Sequence, residues 1–374
     1  MPNPFTMRVI PPDAPFCNRT EERKDLCRHA MNQASVVLFS PRRYGKTSLV
    51  KKVQHEIEEK AVFTFYADLF MVASVNEVAE RIAKSVYTVL HKRESLLKKG
   101  ARMLKTFKTF RPILKPSPES GFTLSVEPVS TTATGTELLD NVLEDLGAFI
   151  REQHANVHFV LDEFQEITEL KGPSIEGILR KHIQHHEASY FFVGSRRRVL
   201  LDIFNQRNRP FYQSAIMVPI HTLPHDELVP FLEERFESGG KKCPESVAEL
   251  ISRRTHQYPY YAQALAYNVF DLSGKVIRSE DVDAGFDRLL SSERYAYEAV
   301  VQGLTGPQIT LLRALAASPS LHILSSEYLA RHKLTAGGVQ YARKKLVELD
   351  LIEKHKDLWR VVDPVFKEWL SRYD

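Results

Sequence analysis

"VVLFSPRRYGKTSLV", residues 36–50, passes from an apolar, β-branched run into a loop that ends in Gly45, Lys46 and Thr47, then into residues with helical spacing. A loop between a buried strand and a helix start leaves several backbone N–H groups unpaired at one place, and together they face an anion. The side chains suit that chemistry. Lys46 stands where it reaches the β and γ phosphates of a nucleotide, Thr47 where it ligates Mg²⁺, and Gly45 where the backbone bends. The chain from Ser40 through Pro41, Arg42, Arg43, Tyr44, Gly45, Lys46 and Thr47 to Ser48 is the expected cradle. Ser40 occupies the place of the usual first glycine, which is tolerable at negative φ because that position turns the chain out of the strand.

Outward from this loop, four more short apolar runs recur: "AVFTFYADL" (61–69), "VHFVLDEF" (157–164), "SYFFVGS" (189–195) and "SAIMVPIHTL" (214–223). Apolar on both faces, they read as buried parallel strands. Helical patterns lie between them, with Leu49, Val53 and Ile57 on one face of the first and "NEVAERIAKSVYTVL" (76–90) repeating the pattern. Such alternation predicts a doubly wound α/β domain over residues 1–223. Four helical patterns without strands follow, a helical lid over 224–302. From 303 to 374, three helices and a hairpin turning near Lys356 and Asp357 predict a winged helix.

The second requirement of a phosphate site is a carboxylate at a neighbouring strand end, and Asp162 and Glu163 close "VHFVLDEF". Asp162 is expected at the magnesium and Glu163 as the base that polarises an attacking water. Ser195 ends another apolar strand, ahead of Arg196, Arg197 and Arg198; it is either a sensor near the γ-phosphate or a capping serine.

Composition narrows the class. With 374 residues, 43% hydrophobic and 26% charged, the chain is long enough for two or three cores and is neither disordered nor fibrous. A net charge of +4 is too small to announce a nucleic-acid partner by itself. Cys17, Cys27 and Cys243 have neither zinc-site spacing nor an even count, pointing to a reducing cytoplasm, and no apolar run reaches membrane-spanning length. His182, His185 and His186 in "KHIQHHE" share one helical face and read as a solvated face rather than a metal site.

The stretch 91–135 reads as an insertion. From His91 to Lys115 it carries nine Lys/Arg against one Glu. Phe107 and Phe110 interleave with Lys105, Lys108 and Arg111, so they either stack on a nucleic acid or pack on the core while the cations stay wet. In "TAGGVQYARKKLVELD" (335–350), Val339, Ala342, Leu346 and Leu349 are expected on the core side, with Gln340, Arg343, Lys344 and Lys345 outward. That face could meet duplex DNA or a protein partner.

Together these segments resemble the archaeal-type ATPase group within the AAA+/STAND class of P-loop NTPases. The resemblance runs through "PFCNRTEERKDL", "SPRRYGKTSL", "FVLDEFQEI", "FFVGSRRRVL", "NQRNRPFY", "YPYYAQAL" and "VVDPVFKEWL". It implies ATP and Mg²⁺ between the α/β domain and the lid, with Thr47 and Asp162 at the metal, Glu163 activating water and Ser195 as sensor. It places Arg19 in a segment beside adenine, with Asn18 where glycine is usual. It puts Pro259 at the lid contact, where His256 and Gln257 replace the usual glycine pair. Arg207 or Arg209 corresponds to an arginine that completes a neighbour's site in related oligomers, the alternative being a surface ion pair. Two modes of action stay open: an oligomeric remodeller of DNA or protein complexes, and a monomeric nucleotide-controlled switch that recruits a partner.

Overall fold

The computed structural model describes residues 2–17, 19–94, 106–117, 121–171 and 175–373. Its first part runs α1 (Thr20–Met31), β1 (Val36–Phe39), α2 (Lys46–Glu58), β2 (Phe63–Asp68), α3 (Val75–Glu94), β3 (Phe110–Ser117), β4 (Gly121–Pro128), α4 (Gly135–Gln153) and β5 (Val157–Asp162). A 3₁₀ segment (Phe164–Glu169), α5 (Ile175–Ile183), β6 (Ala188–Gly194), α6 (Arg197–Asn205) and β7 (Ile216–Pro219) complete it.

β2, β5, β6, β1 and β7 form, in that order, a five-stranded sheet whose neighbours are all parallel. Because side chains alternate along a strand, β1 feeds two cores: Val36 and Leu38 pack with residues of α2 and the lid, whereas Val37 and Phe39 pack with residues of α3, α4 and α5. This two-sided position is why β1, β5 and β6 are buried throughout and mostly apolar. The run at 214–223 departs from the expectation. β7 is the sheet edge, and its residues are exposed or half-buried because no strand covers its outer side. The carboxylate strand β5 is also not beside β1; β6, with Ser195 just past its end, lies between them.

The stretch 91–135 holds a two-stranded antiparallel hairpin, β3–β4, separate from the main sheet. Phe107 and Phe110 at its base are buried, Phe107 against Tyr87 and Phe149, while the Tyr87 hydroxyl donates to the carbonyls of Phe107 and Phe110. They are core residues, so the stacking reading of these two phenylalanines fails. Lys105 and the rest of 95–105 lie outside the described residues, as does Asn18.

α7 (His225–Ser238), α8 (Glu245–Arg254), α9 (Pro259–Leu272) and α10 (Ser279–Gln302) form the helical lid. In the turn before α9, His256 and Gln257 have φ of 50° and 57°. They take the left-handed conformation that the glycine pair would occupy without strain. The winged helix comprises α11 (Gly306–Ala317), α12 (Ser326–Arg331), α13 (Ala336–Glu348), β8 (Ile352–His355), β9 (Leu358–Val361) and α14 (Pro364–Arg372). Its wing turns at Lys356 and Asp357, with φ of 46° and 69°, the paired positive angles of a tight hairpin. Val339, Ala342 and Leu346 are buried as expected, but Leu349 is 45% exposed. Ten residues after Val339 it has drifted off the apolar stripe, and it sits at the helix C-cap. Among the described residues no helix is long and apolar enough to cross a membrane.

Candidate active site

The loop between β1 and α2 is shaped by two left-handed residues, Arg43 (φ 69°) and Gly45 (φ 78°). Ser40 does not adopt a positive φ, so its side chain costs the loop nothing, and the strain falls on Arg43 instead. Lys46 opens α2 with its side chain folded back into the loop. Its Nζ donates to the carbonyls of Ser40 and Pro41, both at 3.0 Å, and to the Ser40 hydroxyl at 3.3 Å. The residue is 6% exposed, and burial pulls the ammonium down to about 8, with Glu163 and Asp162 opposing the shift.

The Thr47 hydroxyl donates to Asp162 Oδ2 at 2.8 Å, and Tyr66 on β2 donates to the same oxygen at 2.5 Å. Burial raises the Asp162 carboxyl pKa, against those two hydrogen bonds. A hydroxyl and a carboxylate in contact are the oxygen donors a hard divalent cation takes, so Thr47 and Asp162 fit Mg²⁺. One residue on, Glu163 has φ 50°. Its Oε2 accepts from Ser195 Oγ at 3.0 Å and from Gln165 Nε2. Ser195 therefore stands at the Glu163 carboxylate, because β6 neighbours β5.

A cleft of about 400 Å³ opens over these groups. Of the expected residues, Arg42, Arg43, Gly45, Lys46, Thr47, Ser48, Glu163, Ser195 and Pro259 line it. Tyr44 is buried edge-on against Tyr258, ring centroids 4.4 Å apart, fastening the loop to the lid. Arg19 is a buried clamp. Its guanidinium donates to the carbonyls of His221 at 2.7 Å and Tyr44 at 3.4 Å and pairs with Glu22, and it borders a smaller, mostly apolar cavity with Phe16, Leu228 and Phe231.

Arg207 and Arg209 do not line the cleft. Arg209 is held by Glu176, while Arg207 is exposed. On α13, Gln340, Lys344 and Lys345 are exposed, Lys345 lying 3.6 Å from Glu348. Arg343 instead stacks over Trp359 of the wing at 5.5 Å and is half-buried. The histidines of "KHIQHHE" separate, because α5 ends at Ile183. His182 meets Asp140, His186 meets Tyr190, and no group of three or more His, Cys, Asp or Glu among the described residues is arranged to hold a metal.

Sequence reading missed three parts of the site. Residues 6–10 form one wall, tied to the lid by Thr6 N–H donating to Gln263 Oε1 at 3.3 Å and to α2 by Ile10 N–H donating to Ser48 Oγ at 3.1 Å. Tyr66 and Gln165 are the others. Nothing in the spacing of residues 6–10 marks them, but the Gln at the fourth position of "DEFQ" was visible beside the two carboxylates.

Residues 295–372 match a family model described as a probable winged helix domain. No curated protein matches the chain in sequence. A Walker-type ATPase of Pyrococcus abyssi superposes with a TM-score of 0.71 at 17% identity, covering 98% of this chain and 99% of that one. The ORC2 protein of Aeropyrum pernix, solved in ADPNP–ADP complexes, gives 0.61 at 15% identity over 98% and 96%. The ORC1 protein of the same organism, solved with DNA, gives 0.52 at 15% identity over 100% and 98%. The chain therefore shares the fold of these proteins: a five-stranded parallel α/β domain, a helical lid and a C-terminal winged helix.

Proposed function

We propose that the chain binds ATP with Mg²⁺ in the cleft, hydrolyses it, and converts the change of nucleotide into movement of the winged helix. The observation that carries this is Lys46. A nearly buried ammonium whose hydrogen bonds go to neutral oxygens is poised for an anion, and it stands beside the Thr47–Asp162 pair and Glu163. Lys46 would exchange loop carbonyls for β- and γ-phosphate oxygens. Thr47 and Asp162 would hold the magnesium, which neutralises charge building on the phosphates. Glu163 would take the proton of the water that attacks the γ-phosphorus as the bond to the bridging oxygen of ADP breaks. Ser195 would hold Glu163 in place from β6. The nucleotide complexes of the structurally similar ORC2 protein support this use of the fold.

The test is a pair of variants. Lys46→Ala loses ATP affinity by two orders of magnitude or so, as expected for a buried charge-assisted contact. Glu163→Gln keeps ATP affinity and loses turnover; hydrolysis at the parental rate would remove the base assignment.

Movement of three units, 1–223, 224–302 and 303–374, is supported by a hydrogen-bonded path from the phosphate loop. Arg43 Nη1 donates to Glu293 Oε2 at 2.9 Å and to the Tyr261 hydroxyl at 3.2 Å. Tyr261 in turn donates to Asp363, the N-cap of α14, whose other oxygen accepts from the N–H groups of Val365 and Phe366. Tyr258 donates to the carbonyl of Val362 at 3.2 Å. A winged helix tied to the lid in this way favours the nucleotide-controlled switch, in which opening moves the winged helix, whose α13 face is already exposed, toward DNA or a protein partner. The DNA complex of the ORC1 protein supports the DNA branch. If the chain works instead as an oligomer, Arg207 is the better candidate for an arginine acting on a neighbour, since Arg209 is engaged by Glu176. Hydrolysis with and without duplex DNA, read against particle mass with a non-hydrolysable ATP analogue, separates a DNA-stimulated oligomer from a monomeric switch.

A further inference from the structure

We infer that Gln165 is a positioning residue for Glu163, orienting its carboxylate so that one oxygen stays available to accept a proton; the inference rests on the ATPase reading. Gln165 lies in the 3₁₀ segment two residues past Glu163 and is fully buried. Its Nε2 donates to Glu163 Oε2, the same oxygen that takes the Ser195 hydroxyl. Two donors on Oε2 fix the plane of the carboxylate. Among the described residues Oε1 accepts no hydrogen bond, and Glu163 is one of the residues lining the cleft.

The amide cannot be turned over. With the carbonyl toward Glu163, two oxygens carrying negative charge would meet, so the nitrogen must face the carboxylate. That leaves Gln165 Oε1 buried with no hydrogen-bond donor among the described residues. A buried amide oxygen without a donor is costly, and an apolar side chain of the same length would avoid that cost. What offsets it is the charge-assisted bond to Glu163. The neighbouring strand makes room for it. A side chain on Gly194, at the end of β6, would put its Cβ 2.0 Å from Gln165 Oε1 and 2.8 Å from Leu200 Cδ1. The glycine, the amide and the serine that follows thus form one support for Glu163.

The experiment uses Gln165→Met, unbranched and of similar length, with Gln165→Asn as a second variant that keeps the amide but is too short to reach. Both are expected to lower kcat about tenfold or more while the ATP Kd, measured by titration in the Glu163→Gln background and in the parent, stays within about twofold. In the nucleotide-free protein, the side-chain carboxyl ¹³C resonance of Glu163, assigned by its disappearance in Glu163→Gln, is expected to shift in either variant. Unchanged kcat in a folded variant, loss of ATP affinity in step with kcat, or an unmoved Glu163 resonance overturns the inference. Failure of the ATPase reading looks different: the parent does not hydrolyse ATP, or Glu163→Gln does so at the parental rate. The resonance then still decides whether Gln165 orients the carboxylate.

Discussion

The cleft beside the β1–α2 loop and the outer face of α13 both present polar and cationic side chains, but they hold them in opposite ways. Lys46 and Ser195 in the cleft, with Asp162 and Gln165 behind it, are buried, and each is committed to named partners. On α13, Gln340 and Lys344 stand in solvent, Lys345 is beside Glu348, and Arg343 leans on Trp359. Desolvating a charge is expensive unless specific contacts offset it, so polar groups assembled in the interior call for a functional reason. Solvated cations on a helix cost almost nothing and carry correspondingly little information. The geometry of the cleft therefore supports a functional reading, whereas that of α13 is uninformative without a binding measurement.

Three further variants sharpen this contrast. The largest effect is expected where the loop beside the cleft is tied to the winged helix. Tyr261→Phe removes the hydroxyl that bridges Arg43 and Asp363, leaving a buried carboxylate short of one donor. It should destabilise the chain by about 1–3 kcal/mol in urea unfolding and weaken the dependence of winged-helix protease protection on nucleotide. Full stability with unchanged protection would show that the path carries nothing.

A smaller, pH-dependent effect is expected at Asp350, just past α13. Burial pushes its carboxyl up to about 6, against the opposing pull of Arg196, Arg42 and Lys46. Because the folded-state value lies above the unfolded one, the group costs stability fully above pH 6 and nothing below its ordinary range near 3.8. Asp350→Asn should therefore be more stable than the parent at pH 8, the gap closing as pH falls from 6 toward 4. A gap independent of pH would assign the effect to something other than ionisation. Asparagine also suits the φ of 55° there.

The smallest effect is expected on α13 itself. Lys344→Ala should leave stability within about 0.5 kcal/mol of the parent. If α13 faces DNA, the variant lowers the slope of log affinity against log salt by about 0.9, the release of one counterion. An unchanged slope and affinity would take Lys344 out of any DNA contact.

The segments whose placement in the structure matches the sequence reading share a physical trait: their pattern is local. Residues 40–45 form one loop that runs straight into the first turn of α2, and Asp162 and Glu163 are consecutive. The wing turn at Lys356 and Asp357 is likewise set within its own hairpin. Misreadings, alternatives left open and omissions fell where a residue's surroundings lie far along the chain. The run at 214–223 has the texture of a buried strand but lies at the sheet edge. Phe107 and Phe110 share a basic stretch with lysines, yet Tyr87 and Phe149 claim them for the core. Residues 6–10 carry no motif and become part of the site because Ser48 and Gln263 catch their backbone.

By itself, the sequence determined the glycine-containing turn between β1 and α2, the consecutive carboxylates at the end of β5 and the order of α/β, lid and winged-helix segments, because each follows from short-range periodicity or from neighbouring residues. Tertiary structure alone decided that β6 separates the loop strand from the carboxylate strand and that Ser195 and Gln165 converge on one oxygen of Glu163. It also decided that Arg43 reaches the winged helix through Tyr261. Those outcomes depend on strand order and side-chain packing between segments up to hundreds of residues apart, where no local pattern constrains which groups meet.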